Sequence, residues 1–594
     1  MSHTFHIPVL GLAFSIDTPV KVARYGISSV VSIVDDILIE RMRRFYTEQI
    51  GEDFIPISSK ISDFRAKRIT AYLNLLKKIV DKQFDLLSKS AFVPGSEISK
   101  YFELLPERSS LKNLYNKMLQ VSNDSARVDM QSELRRRIYC GSIDVNIMSK
   151  VDKINYSLTG DDLGEQFTDA IAALRGFAQS NLNSSLVLSA GMNPRLYSSL
   201  EGFMDFYPNK ERGFRKQIIL KVSDFRSAFI QAKFLAKKGL WISEFRIESG
   251  LNCGGHAFAT EGYLLGPILE EFKQRRKEMA DSLLEIYQTA LCDKGINIIE
   301  VPAQRLTVQG GIGTAEEDNF LVENYRLDGT GWGSPFLLVP EATNVDEATL
   351  EALMHATHDD FYISGSSPLG IPFNNFRKSS AEALRLERIK KGRPGSPCKK
   401  KFLISNTEFT EQPICTASRE FQNLKIKQLE SAELPAEELK KQFDLITEKV
   451  CLCEGLATSA YIKNNILESK ERTAVAICPG PNLAYFSGSF TLEQMTKHIY
   501  GKINLLNGTD RPNLFLNELK LYIEYLDKEI SQHIGQLNEK KKKYFFKFKE
   551  QLQNGINYYK ELIPELYNET DNYKDRMLNE LLKFEHKLNT TVIA

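Results

Sequence analysis

The chain has 594 residues, too many for one simple core, and its length alone suggests two to four domains. Its 42% hydrophobic and 26% charged residues are those of an ordinary globular protein, and a net charge of +1 provides no field to draw nucleic acid or an anionic membrane. Eight cysteines in so long a chain do not make a disulfide scaffold, which leaves cytoplasmic thiols or metal ligands. The N-terminus has no basic segment followed by a long apolar run, and no apolar stretch reaches about eighteen residues, so neither a signal peptide nor a membrane span is expected.

Residues 7–14 form an apolar run that reads as the first strand. Thr18-Pro19 opens a short helix, with the threonine as cap and the proline at its first position. Gly26 closes it, and residues 29–34 read as a buried parallel strand. Apolar residues then take helical spacing, as at Ile69, Leu73, Leu76, Val80, Phe84 and Leu87. Ordinary βα loops are only a few residues long, so residues 38–138 read as a helical insertion after the second strand.

Strands resume at 142–148, 185–189, 217–222, 241–247, 306–309 and 329–332, with helical segments at 224–238 and 268–291. Strand alternating with helix predicts a parallel sheet, and eight strands are the number that closes a barrel. An open doubly wound sheet is the alternative, but its glycine-rich turn after the first strand is missing. The alternation stops near residue 350. Residues 356–500 read as a loop-rich region holding Cys398, Cys415, Cys451, Cys453 and Cys478, and 501–594 as a helical segment. In the latter, Leu516, Leu519, Ile523, Leu526, Ile530, Ile534 and Leu537 step by threes and fours, as on a packed helix or a short coiled coil that could join two copies of the chain. The run Lys540-Lys541-Lys542-Lys543 reads as a solvated face, so no nucleic-acid partner is expected.

In (β/α)8 barrels, loops after the seventh and eighth strands often hold a phosphate on backbone amides, and glycine permits the close approach. Gly310-Gly311 and Gly333-Ser334 stand at those two places. A helix opening at Thr314 can add its positive N-terminal end. Gly254-Gly255-His256 follows the sixth strand and places an acid/base side chain at the same mouth, where two glycines let a cofactor ring lie against the backbone. His355 and His358 beside Asp359 and Asp360 have metal-like spacing but read as a solvated helix end. Cys478-Pro479 is like the end of some iron–sulfur runs, although no Cys-x-x-Cys is present, and buried unligated thiols are the reading preferred.

The order of these pieces resembles the nitronate monooxygenase family, which includes flavin-dependent enoyl-acyl-carrier-protein reductases. Val145-Asn146-Ile147-Met148 is similar to its third strand, and Gly250-Leu251-Asn252-Cys253-Gly254-Gly255-His256 to its Gly-x-Glu-Ala-Gly-Gly-His. Gln309-Gly310-Gly311-Ile312 is similar to Ala-Gly-Gly-Ile, and the stretch from Asp328 to Phe336 to the segment that follows. The match spans residues 1–40 and 140–345. The resemblance implies an α/β fold, a (β/α)8 TIM barrel over residues 1–355 with a helical C-terminal region, and FMN as cofactor. It puts the phosphate on Gly310, Gly311, Gly333 and Ser334, and the flavin ring near Ala13, Phe14, Asn146, Gly254 and Gly255. Lys221 would offset charge on the reduced ring, and His256 would be the catalytic acid/base. The implied activity is nitronate oxidation with oxygen. The alternatives are NAD(P)H-dependent reduction of an enoyl thioester, or a flavin-binding interaction scaffold. Asn252 and Cys253 depart from the family's Glu-Ala, and Trp332 is expected to bring bulk close to the phosphate loop.

Overall fold

The structure, a computed structural model, describes residues 3–149, 151–157, 159–209, 213–296, 300–506, 510–533, 538–567 and 569–593. Eight parallel strands close into a barrel in chain order: β1 (Phe5–Ile7), β2 (Ser28–Ser32), β3 (Ile143–Asn146), β4 (Ser184–Leu188), β5 (Lys216–Val222), β6 (Ile242–Glu248), β7 (Arg305–Gln309) and β8 (Gly329–Gly331). β1 pairs with both β2 and β8, which completes the closure. The fold is the (β/α)8 barrel.

Two details of the first turn differ from expectation. β1 ends at Ile7, because Pro8 has no amide to continue the ladder, and the apolar residues after it form a loop rather than a strand. Thr18 is not a cap: the helix Thr18–Val22 is preceded by Asp17, and the Thr18 hydroxyl donates to the Ala342 carbonyl at 2.6 Å.

The region 38–138 is helical, as read, with helices at Asp36–Gln49, Phe64–Lys89, Glu97–Glu103, Ser110–Gln120 and Asp124–Arg137. It is not wholly an excursion. The helix Phe64–Lys89 packs on Asp169–Ala178, the helix after β3, and so takes a place in the barrel's own outer ring. Thr70 donates to the Gly176 carbonyl at 2.9 Å across that contact.

Beyond the barrel, the region 356–500 is more regular than its loops suggested. It holds an antiparallel ribbon of β9 (Phe361–Ser364) and β10 (Phe373–Phe376), and five helices between Ser380 and Ile499. The helix Leu514–Gln532 packs with Glu539–Leu562 and Asp571–Thr590. Its predicted stripe of Leu516, Leu519, Ile523, Leu526 and Ile530 is buried inside this chain, each side chain worth about 1.5–3 kcal/mol of transfer free energy. The stripe is therefore core, not a surface left for a second copy. Ile534 and Leu537 lie outside the described residues.

The barrel interior carries a charged layer at mid-height. Arg246 and Arg305 hold Glu244 at 2.8 and 3.0 Å, and Thr307 donates to it at 2.6 Å. Burial works to raise the Glu244 pKa, but Arg246 and Arg305 outweigh it and bring it from 4.5 to about 2. A depressed carboxylate contributes stability that is present above its unfolded pKa and is lost as pH falls through the folded one. In urea unfolding, wild type should thus lose on the order of 3 kcal/mol from this group between pH 4.5 and 2. Glu244→Gln should be the less stable protein at pH 7, because Arg246 is left without its partner, and its curve should converge on wild type in acid. Parallel curves would show that the network does not titrate with folding.

Candidate functional site

A cavity of about 1080 Å³ opens at the C-terminal ends of the strands. Its floor is barrel and its roof is the C-terminal region. Of the residues singled out by sequence, Phe14, Lys221, Gly254, Gly255, His256, Gly310, Gly311, Gly333 and Ser334 all line it. Ala13 and Asn146 do not; both are fully buried.

Asn146 is nonetheless distinctive. It ends β3 with both side-chain amide atoms buried and lacking any hydrogen-bond partner. Ser32 Oγ, on the neighbouring β2, and Gln309 Oε1 at the end of β7 are in the same condition. Orphaned polar atoms cost about 1–3 kcal/mol each, so several at one end of a barrel mark a place shaped for a polar ligand.

The glycines stand in the loops after β7 and β8, as read. Gly310 and Gly311 have φ of +108° and +83°, the left-handed region that favours glycine. No described residue accepts a hydrogen bond from the amides of Gly311, Ile312, Gly333 or Ser334. Ser334 Oγ accepts from the Gly480 amide at 2.8 Å, which leaves its own hydrogen free to donate. The helix after β7 contributes less than expected. Thr314 caps it through the Glu317 amide, and the Gly313 amide is already taken by the Glu317 carboxylate at 2.9 Å. That helix end is satisfied internally.

Lys221 reaches the floor, but its ammonium sits 3.2 Å from Glu248, which also accepts from Gln309 at 2.7 Å. The lysine charge is thus partly balanced before anything binds. Trp332 points away from the cavity: it is buried, and its indole N–H donates to Asp318 at 3.0 Å on the helix outside the barrel. The bulk expected beside Gly333 is therefore absent from the cavity.

His256 is held by the ribbon. It bridges Phe373 across an antiparallel pair, with the Ala257 amide donating to Pro372 and the Asn374 amide to Gly255. Its ring stands edge-on to Phe373 at 4.9 Å, and Nε2 is 2.8 Å from Ser367 Oγ. A hydroxyl both donates and accepts, so Ser367 can serve the imidazole as a neutral base and as an acid. The two glycines do not both open the wall to a ring. A Cβ at Gly254 would lie 2.5 Å from the Cys478 carbonyl, so that glycine admits the chain's own backbone, whereas the space beside Gly255 is open.

Residue 252 is explained by the helix Leu514–Gln532. Asn252 donates to the Leu514 carbonyl at 3.3 Å and accepts from Asn517 at 3.0 Å. Cys253 lines the cavity, and burial pushes its thiol well above the ordinary range, as it pushes Cys478 up to about 12. Both are neutral thiols rather than nucleophiles. Cys398 and Cys415 are hydrogen-bonded neighbours, whereas Cys478 stands apart at the cavity wall. No group of three or more His, Cys, Asp or Glu among the described residues is placed to hold a metal ion. His355 pairs with Glu351 on an exposed helix end. Among the described residues, no helix is long and apolar enough to cross a membrane.

Sequence reasoning missed the roof. Ser367, Phe373, Asn482 and Tyr525 come from regions that carry no motif, and their roles follow only from tertiary contact. No family model matches the chain, and no curated protein matches it. Among solved structures, FabK from Thermotoga maritima is 12% identical with a TM-score of 0.30, over 69% of this chain and 85% of that one. The enoyl reductase domain of MlnA, from the macrolactin biosynthesis cluster of Bacillus amyloliquefaciens, is 14% identical with a TM-score of 0.33, over 64% of this chain and 86% of that one. Likeness at this level carries no correspondence between individual residues.

Proposed function

We propose that this chain is an FMN-dependent oxidoreductase that acts on a small molecule at the mouth of its barrel. The observation that carries the reading is that Gly311, Ile312, Gly333 and Ser334 line the cavity and that no described residue engages their four amides. Amides of this kind suit a phosphate. Gln309, which lines the cavity with Oε1 unpartnered, suits the polar edge of a flavin ring. Bound FMN would supply two-electron transfer to or from the substrate. Within the site, Gly255 keeps the wall open, and His256 gives or takes the proton that accompanies that transfer. Lys221 and Glu248 fix the polarity of the floor.

Two substrates are compatible with this chemistry: a nitronate with oxygen as acceptor, or an enoyl thioester with NAD(P)H as donor. The apolar side of the cavity favours the second. Phe402, Leu403, Leu452 and Leu456 extend it away from the strand ends, which is more apolar wall than a small nitronate would use. Purified protein should be yellow and release FMN on denaturation. Under anaerobic conditions NADH or NADPH should bleach the flavin, and an enoyl thioester should restore it. Bleaching by a nitroalkane anion, but not by a nicotinamide, would move the assignment to nitronate oxidation. A colourless protein that takes up no added FMN would end the flavin reading altogether.

A further inference from the structure

The loops after β6, β7 and β8 are tied to one distant segment. The Gly255 amide donates to the Cys478 carbonyl at 3.0 Å, the Gly480 amide to Ser334 Oγ at 2.8 Å, and Asn482 Nδ2 to the Ile312 carbonyl at 2.8 Å. Arg511 stands behind this segment and is buried. Its Nη2 donates to the Gly311 carbonyl at 2.5 Å, its Nε to Asn482 Oδ1 at 2.6 Å, and its Nη1 to Glu317 Oε1 at 2.7 Å. His498 completes the row. Its Nδ1 accepts from the Leu505 amide, so Nε2 carries the proton and donates to the Gly313 carbonyl at 2.9 Å.

Three consecutive carbonyls, at 311, 312 and 313, are thus held by three side chains from the C-terminal part of the chain. The direction of a carbonyl fixes the direction of the next amide, because a trans peptide sets C=O and N–H on opposite sides. Gly311 and Ile312 line the cavity and Arg511 does not. The Arg511 bond to the Gly311 carbonyl therefore turns the Ile312 amide toward the cavity. The guanidinium charge is balanced by Glu317, so its effect is orientation, not a field on the ligand.

We propose that Arg511 and Asn482 are positioning residues that preset the β7 loop for a phosphate, so that the C-terminal region completes a binding site whose visible motif lies in the barrel. The proposal rests on the flavin reading. Glycines at 310 and 311 permit many loop conformations, and an unrestrained glycine loop would lose entropy on closing around an anion. A fork of three donors removes that cost before the ligand arrives.

The test compares FMN with riboflavin, which lacks the phosphate, on flavin-stripped full-length protein. Wild type should bind FMN more tightly than riboflavin. In Arg511→Leu and Arg511→Lys the FMN Kd should rise tenfold or more, while the riboflavin Kd changes less than threefold. Lysine keeps the charge but cannot bond three acceptors in one plane, so it should not rescue. Asn482→Ala removes two bonds of the network, the one to the Ile312 carbonyl and the one from Arg511 Nε, but leaves the Arg511–Glu317 pair in place, and should show the same selective loss, about threefold to tenfold, even where an Arg511 variant does not fold. Equal losses for both flavins would reveal a merely structural role, and an unchanged FMN Kd would remove any role; either overturns the proposal alone. A wild type that binds neither flavin overturns the flavin reading and the proposal with it.

Discussion

Gly311→Val is expected to raise the FMN Kd by a hundredfold or more while the barrel stays folded. Two independent effects act at this residue. Its φ of +83° is one that a β-branched side chain adopts only under strain, costing about 1–3 kcal/mol. A Cβ there would also sit 2.6 Å from Asn252 Nδ2 and 3.0 Å from Asn252 Cβ. Asn252 cannot simply move aside, because its amide is bonded to Leu514 and Asn517. The loop must shift instead, and the Gly311 and Ile312 amides move with it. Fluorescence titration of the stripped protein measures the change, and circular dichroism checks the fold. Flavin retention equal to wild type would show that the phosphate lies elsewhere in the cavity.

The barrel was legible in the sequence because its signals are local. A buried parallel strand is a short apolar run, and the helix that follows has its own period, so β5, β6 and β7 emerged within a residue or two of their observed bounds. β1 was misplaced for an equally local reason. The apolar run from Ile7 is continuous by hydropathy, and only Pro8 shows where the ladder stops. The helix Phe64–Lys89 looked like an insertion because periodicity records that a helix exists, not which neighbour it covers.

The candidate site was legible by half. Glycines in loops report backbone demands, and Gly310, Gly311, Gly333 and His256 could be named because their strands could be counted. The other half comes from side chains far along the chain. Ser367 is 111 residues from the histidine it touches, and Arg511 is 200 from the carbonyl it holds. A buried arginine in a polar stretch has no sequence period, and nothing local distinguishes Arg511 from a solvated one. The departures at Asn252 and Cys253 from the family's Glu-Ala have no local explanation in the sequence. They are partly packing: Asn252 answers the helix Leu514–Gln532, and Cys253 packs on Gly310.

The largest effect on turnover is expected at His256. The ring is the one acid/base group at the mouth that sequence and geometry both single out: it follows β6, lines the cavity, and is fixed by Ser367 and Phe373. Three other titratable groups on the wall, Cys253, Cys478 and Glu248, are poorly suited. Burial holds the Cys253 and Cys478 thiols in their neutral form, and Glu248 is committed to Lys221 and Gln309. If His256 carries the proton, His256→Ala should lower turnover by about a hundredfold or more, the usual scale for losing a positioned acid or base. Flavin content should stay at the wild-type level, since the loops proposed to hold the phosphate are untouched. His256→Asn should match the alanine variant, because an amide cannot exchange a proton near neutral pH. The pH profile of the half-reaction with substrate should differ from that of wild type by the loss of one limb. Rapid-mixing measurements of flavin reduction and reoxidation under anaerobic conditions, across pH, give both the rate and the limb. Wild-type rates with an unaltered profile in either variant would make His256 a loop residue pinned to the ribbon, and the proton would have to be assigned to another group or to water.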